Sequence, residues 1–134
     1  MAALTYTPVT SNNLLSFGDN VLLRNDDGSS TAVDITSIFQ NGIKIGTQTF
    51  TTLYVNNNGN ITFGSALSSY TPGVIGGSTG LNIIAPFWAD VDTRVDVPAV
   101  NDGVFWDIKE ARDSIVFTWN HTGYYNYHID KEDT

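Results

Sequence analysis

No window of this chain carries apolar residues at a 3.6-residue period over three turns, so no helix has a stripe to bury. Apolar and β-branched runs of a few residues alternate instead with clusters of Asn, Asp, Gly and Ser. Short strands separated by turn residues predict an all-β fold. Alternate positions read apolar and Thr/Asn-rich, which favours an antiparallel β-sandwich.

Residues 4–9 alternate and read as a first strand, and residues 10–13 as a turn. Residues 20–24 form a short apolar run that Asn25-Asp26-Asp27-Gly28-Ser29-Ser30 breaks into a loop. Asn41-Gly42 lies between two apolar runs and predicts a hairpin turn. Residues 48–55 have strand composition, with Tyr54 facing Ile61 and then Phe63 across a turn at Asn56-Asn57-Asn58-Gly59. The three asparagines are expected at left-handed turn positions. Residues 65–80 form a Ser/Gly/Pro loop long enough to wrap or to bind. Residues 104–108 and 114–119 predict a second hairpin, turned at 110–113, and residues 124–129 a last strand.

A length of 134 residues predicts one domain over 1–134, a module or fragment of a larger protein. The net charge of -8, with six scattered basic residues, argues against nucleic acid and anionic membranes as partners. The absence of cysteine excludes a disulfide scaffold, a thiolate metal site and a cysteine nucleophile. No apolar run approaches the ~20 residues of a spanning helix, so membrane insertion is not expected. The first residues read as no signal peptide, so any export address is expected elsewhere, in a longer parent chain or at the far C-terminus.

Residues 82–94 draw the eye because an apolar run there ends in Asp90, Asp92 and Arg94. Read as one core strand, it presents these three groups on one face. The preferred reading is a structural Asp–Arg cluster in which Arg94 is structural. A calcium site comes second, and paired catalytic carboxylates a distant third, because i,i+2 residues seldom face each other across a cleft. Asp26 and Asp27, with Asp34, form another calcium candidate but lack the regular helix–loop–helix spacing, so a solvated Asx turn is preferred. Trp88, Trp106 and Trp119 read as core anchors in preference to a sugar-stacking platform. Tyr124, Tyr125 and Tyr127 are binding-surface candidates, because at most one face of their strand is buried. His121 and His128, with Asp130 as a third ligand, form a metal candidate weaker than ordinary surface histidines. No phosphate loop, nucleophile elbow or His-Glu-x-x-His is present, and no catalytic residue is assigned.

Three stretches in order carry a family resemblance. They are Leu53-Tyr54-Val55-Asn56-Asn57-Asn58-Gly59-Asn60-Ile61-Thr62-Phe63, then Ile84-Ala85-Pro86-Phe87-Trp88-Ala89-Asp90-Val91-Asp92-Thr93-Arg94, then Ile115-Val116-Phe117-Thr118-Trp119-Asn120 with Gly123-Tyr124-Tyr125. Together they resemble the nidogen-like (NIDO) domain over roughly residues 18–131, and the Arg24–Ser30 loop resembles its bacterial versions. The resemblance implies a non-enzymatic extracellular β module that contacts a protein or glycan at a cell surface or matrix. With the absence of cysteine, it points to a large bacterial surface or secreted protein with an adhesion or assembly role. A carbohydrate-binding or carbohydrate-processing domain is the alternative, and a structural spacer a third. Domains of the family continue into further apolar strands, so an incomplete sandwich, completed by a C-terminal segment or another chain, is also expected.

Overall fold

The computed structural model describes residues 17–76, 80–97 and 101–133, and among these described residues twelve short strands and one 3-10 turn follow one another. The strand expected at residues 4–9 and its turn lie outside these residues. The strands are β1 (Asn20–Val21), β2 (Val33–Asp34), β3 (Ile43–Ile45), β4 (Gln48–Phe50), β5 (Thr52–Asn56) and β6 (Asn60–Thr62). After them come β7 (Ile83–Ile84), β8 (Val91–Asp92), β9 (Gly103–Lys109), β10 (Ser114–Asn120), β11 (Thr122–Tyr124) and β12 (His128–Asp133). Every pairing among the described residues is antiparallel. Sheets of order β2-β5-β6-β7 and β1-β9-β10 are accompanied by a β12-β11-β8 sheet and the β3-β4 hairpin.

The core lies between the two larger sheets. Ile35, Leu53, Val55, Ile61, Phe63 and Val104 are buried, and Trp106, Ile115, Phe117 and Trp119 pack against them from β9 and β10. Alternation produces this arrangement: Leu53 and Val55 of β5 point inward, as do Ile115, Phe117 and Trp119 of β10. The β9–β10 hairpin matches its sequence signal, with the 3-10 turn Glu110–Arg112 and a left-handed Asp113 closing it.

Several local expectations give way to longer-range forces. The hairpin turn falls at Gly46-Thr47, between β3 and β4, and not at Asn41-Gly42. Gly42 does take positive φ, but it ends a turn in which its N–H donates to the Phe39 carbonyl. Across β5 and β6, Val55 faces Ile61 and Tyr54 faces Thr62, one residue from the expected register. This register keeps both Val55 and Ile61 inward. Residues 124–129 are not one strand, because β11 ends at Tyr124 and a turn at 125–127 leads into β12.

The largest correction concerns residues 82–94. They do not form one buried strand. Ile84 and Phe87 are about half exposed, and a turn separates β7 from β8. Pro86 offers no N–H to a ladder, which breaks the run. Beyond it the chain wraps around the β5–β6 turn: the Phe87 N–H donates to the Gly59 carbonyl and the Ala89 N–H to the Asn58 carbonyl. Trp88 is consequently not a core anchor. It is half-buried, and its indole N–H donates to the Ser69 carbonyl at 2.8 Å, pinning the long loop.

Candidate functional site

The site is built on asparagines. Asn56, Asn57, Asn58 and Asn60 are each at most 1% exposed. None has positive φ, which only Gly59 adopts in this turn, so they are not left-handed turn residues. They are buried braces instead. A buried amide must find partners for both its ends, and here the partners come from distant loops. The Asn57 amide donates to the carbonyls of Asp26 at 2.5 Å and Val91 at 2.6 Å. Its oxygen faces the Thr93 hydroxyl at 3.1 Å. The Asn58 amide donates to Asp27 Oδ1 at 2.8 Å, and its oxygen accepts from the Val91 N–H at 2.9 Å. Asn56 joins Ser29, Asn60 and Thr62 in the same way. The Trp119 indole donates beneath them to the Asn57 carbonyl at 3.1 Å.

These bonds draw the loop after β1 against the segment leading into β8. One carboxylate oxygen from each of Asp26, Asp27 and Asp90 then lies within 4.8 Å of the others. A cleft of about 380 Å³ opens over them, with Tyr70 and Tyr125 on its walls. Asp26 Oδ1 is buried and has no hydrogen-bond partner. Burial pushes the Asp26 carboxyl upward, opposed by Arg94 and reinforced by Asp92, Asp27 and Asp90. Burial likewise raises Asp90, with Asp27 and Asp92 adding to it.

Asp92 has a different task. Its side chain is fully buried and accepts from Arg94 Nε at 2.8 Å and from an Arg94 terminal nitrogen at 2.6 Å. The backbone N–H groups of Arg94 and Tyr127 also donate to it. Burial alone would raise its carboxyl, but the Arg94 fork and these two N–H groups outweigh it and hold the pKa at about 2. Arg94 also reaches Asp26 at 3.2 Å and lies 4.0 Å from the centre of the Tyr127 ring. Of the aspartates named from sequence, Asp26, Asp27 and Asp90 thus line the cleft, and Asp92 forms with Arg94 the ion pair behind it.

The sign of the Asp92 effect follows from its depressed pKa. Its stabilisation is fully present above the ordinary value of 3.8 and is lost as pH falls through about 2. Between about pH 5 and about pH 2 this amounts to about 2 kcal/mol. Asp26 and Asp90 act oppositely: their raised carboxyls favour the folded state below about pH 4 and lose that contribution as pH rises. Denaturant melts should therefore show a steeper acid decline for the native chain than for Asp92→Asn. Parallel declines would remove this assignment.

The remaining candidates sit apart. Tyr124 stacks on His128 at 4.8 Å, and its hydroxyl donates to Asp130. Tyr125 and Tyr127 are more than half exposed beside the cleft. Asp34 is exposed and accepts from Thr36, as an Asx turn does, away from the three cleft carboxylates. The asparagine brace was missed from sequence. Its signal was four amides set between Val55 and Ile61, two positions that strand alternation buries.

An all-β module whose loops are braced by buried asparagines into an acidic, tyrosine-walled cleft is what the fold and site define. The nidogen-like domain model matches residues 51–134, and the chain belongs to that family. Alpha-tectorin of Mus musculus is 40% identical over 71 residues, covering 52% of this chain and 3% of the relative. Alpha-tectorin of Homo sapiens is 39% identical over 71 residues, with the same coverage. The chain therefore corresponds to a small part of the curated relatives it matches. No solved structure matches it. No helix among the described residues is long and apolar enough to cross a membrane.

Proposed function

We propose that this chain is a non-enzymatic extracellular interaction module of a larger protein, and that its acidic cleft holds a calcium ion at the contact surface. Family membership supports the module. The convergence of Asp26, Asp27 and Asp90 around a buried, unpartnered carboxylate oxygen carries the calcium reading. Calcium takes six to eight oxygens at about 2.3–2.6 Å, and three carboxylates with waters from the open cleft suit it. Arg94 does not cancel the site, because Asp92 already matches its charge. Burial is the main cause that raises Asp26 and Asp90, and the ion would relieve the carboxylate repulsion that adds to it. Tyr70 and Tyr125 then offer amphipathic contact area to a protein partner beside the ion. A bacterial surface or secreted protein is the source favoured by the absence of cysteine and by the Asp26-Asp27-Gly28-Ser29-Ser30 loop, although both named relatives are mammalian.

Calcium at about a hundred times its Kd should stabilise the fold by about 2.7 kcal/mol, and a chelator should reverse the shift. Asp90→Asn and Asp27→Asn should abolish the response. An unchanged melting midpoint on adding calcium and then chelator would overturn the ion site. A second reading, glycan recognition, is favoured by the two tyrosines flanking carboxylates in one cleft. Selective binding on a glycan array, lost in Tyr125→Ala, would replace the protein partner with a sugar.

A further inference from the structure

Two tripeptides of the form Asn-x-Thr occur in the sequence, Asn60-Ile61-Thr62 and Asn120-His121-Thr122. This form is the acceptor of N-linked glycosylation, a bulky, hydrated modification normally carried on a surface loop. Neither acceptor asparagine lies on a loop here. Asn60 opens β6, and Asn120 ends β10.

Asn60 is 0% exposed. Its side-chain nitrogen donates to the Asn58 carbonyl at 3.2 Å, and its oxygen accepts from the Asn56 amide at 2.8 Å. The Asn58 carbonyl also accepts the Ala89 N–H, so the wrapping segment shares this anchor. Thr62 is buried beside it, with its hydroxyl between the Asn56 amide and the Ser65 carbonyl. Asn120 is 5% exposed and lies opposite Gly103 in the β9–β10 ladder. Its side-chain nitrogen donates to the Asn101 carbonyl at 2.9 Å. Thr122, the second half of that acceptor, is buried as well.

N-glycosylation acts on the unfolded chain, before any of these contacts exist. The asparagine nitrogen loses a proton and bonds C1 of the first sugar of a lipid-pyrophosphate oligosaccharide. The lipid pyrophosphate leaves with the electrons of the broken C1–O bond. The oligosaccharide that remains on the nitrogen is too polar to bury. At Asn60 it could reach water only by parting the Asn56–Asn60 pair, and with it the brace of the cleft. At Asn120 it would displace the Asn101 carbonyl and open the end of the β9–β10 ladder.

We propose that Asn60 and Asn120 are modified in any N-glycosylating lumen, and that a glycan on either one blocks the native fold. For the extracellular module proposed above, this selects an export route that adds no N-linked glycan. The block itself depends neither on what the module contacts nor on calcium.

The test sends the full chain through the secretory pathway of cultured eukaryotic cells behind an added signal peptide. The cells are grown with and without an inhibitor of lipid-linked oligosaccharide synthesis. Endoglycosidase digestion reads the glycan, and the Tm of secreted protein is compared with that of the same chain made in a bacterial cytosol. The native chain should be glycosylated and retained. The inhibitor should raise secretion several-fold and yield unglycosylated protein with the bacterial Tm. Thr62→Val combined with Thr122→Val removes both acceptors and should be secreted without the inhibitor. The Thr122 hydroxyl has no hydrogen-bond partner to lose, whereas that of Thr62 does, so this variant is judged against its own bacterially made form. Glycosylated native chain secreted with the bacterial Tm would overturn the proposal. So would native chain secreted unglycosylated without the inhibitor, or retention that the inhibitor does not relieve.

Discussion

Gly59→Ala is expected to abolish the native fold. A Cβ at this position would lie 1.4 Å from the Phe87 carbonyl oxygen, a bonding distance that no side-chain rotation relieves. The obstacle is backbone, and that backbone is tied to the same turn by the Phe87 N–H bond to the Gly59 carbonyl. Gly59 also has φ of +78°, which disfavours any L side chain. Displacing Phe87 would unseat Trp88 and Ala89 and open the cleft above them. The combined loss is at least about 4 kcal/mol, a large share of a small domain's stability. Gly46→Ala is the matched comparison. Gly46 has φ of +60° and nothing within 4 Å of its added Cβ, so only the left-handed conformation is penalised, by about 1 kcal/mol. Thermal melts of the two variants decide the point. A Gly59→Ala protein that melts within a few degrees of Gly46→Ala would show that the Phe87 contact does not matter.

Asn57→Ala should be nearly as damaging, by a different route. It removes both amide donors and leaves the carbonyls of Asp26 and Val91 without them. Each orphaned buried acceptor costs about 1–3 kcal/mol, so the sum is roughly 3–5 kcal/mol. Asn57→Asp should do no better, because a carboxylate cannot donate to either carbonyl and adds a buried charge. Truncation at an exposed asparagine such as Asn20, whose amide bonds the Trp106 carbonyl at the surface, should cost under about 1 kcal/mol. Urea titration of the three variants gives the ranking. Equal midpoints for Asn57→Ala and Asn20→Ala would dismiss the brace as an energetic element.

The parts legible in the sequence were those whose cause is local. The β9–β10 hairpin was readable because two long apolar strands meet across a polar turn, and nothing distant competes for them. The same reasoning failed at residues 82–94. Apolar content there suggested one buried strand, whereas Pro86 and the docking of Phe87 on Gly59 split it in two. The acidic site was half legible. Asp26, Asp27 and Asp90 were each singled out, but spacing tied Asp90 to Asp92, while the fold ties it to a loop more than sixty residues earlier in the chain. Local turn preference for asparagine likewise hid the brace. An Asn before Gly usually faces water, and only bonds from loops far off in sequence reveal that Asn57 and Asn58 do not.

The brace also bears on how the molecule ages. Asn58-Gly59 is the dipeptide most prone to deamidation, in which the glycine nitrogen attacks the asparagine side chain and leaves aspartate or isoaspartate. In the folded protein the Gly59 N–H is held by the Asn57 carbonyl, and both ends of the Asn58 amide are engaged. Asn41, before Gly42, is exposed and has no such burial. Asn58 becomes reactive only when the cleft opens, and an acid formed there could not return to its buried place. Each opening thus carries a risk of permanent inactivation, which ties the working lifetime of the module to how rarely its asparagines meet water.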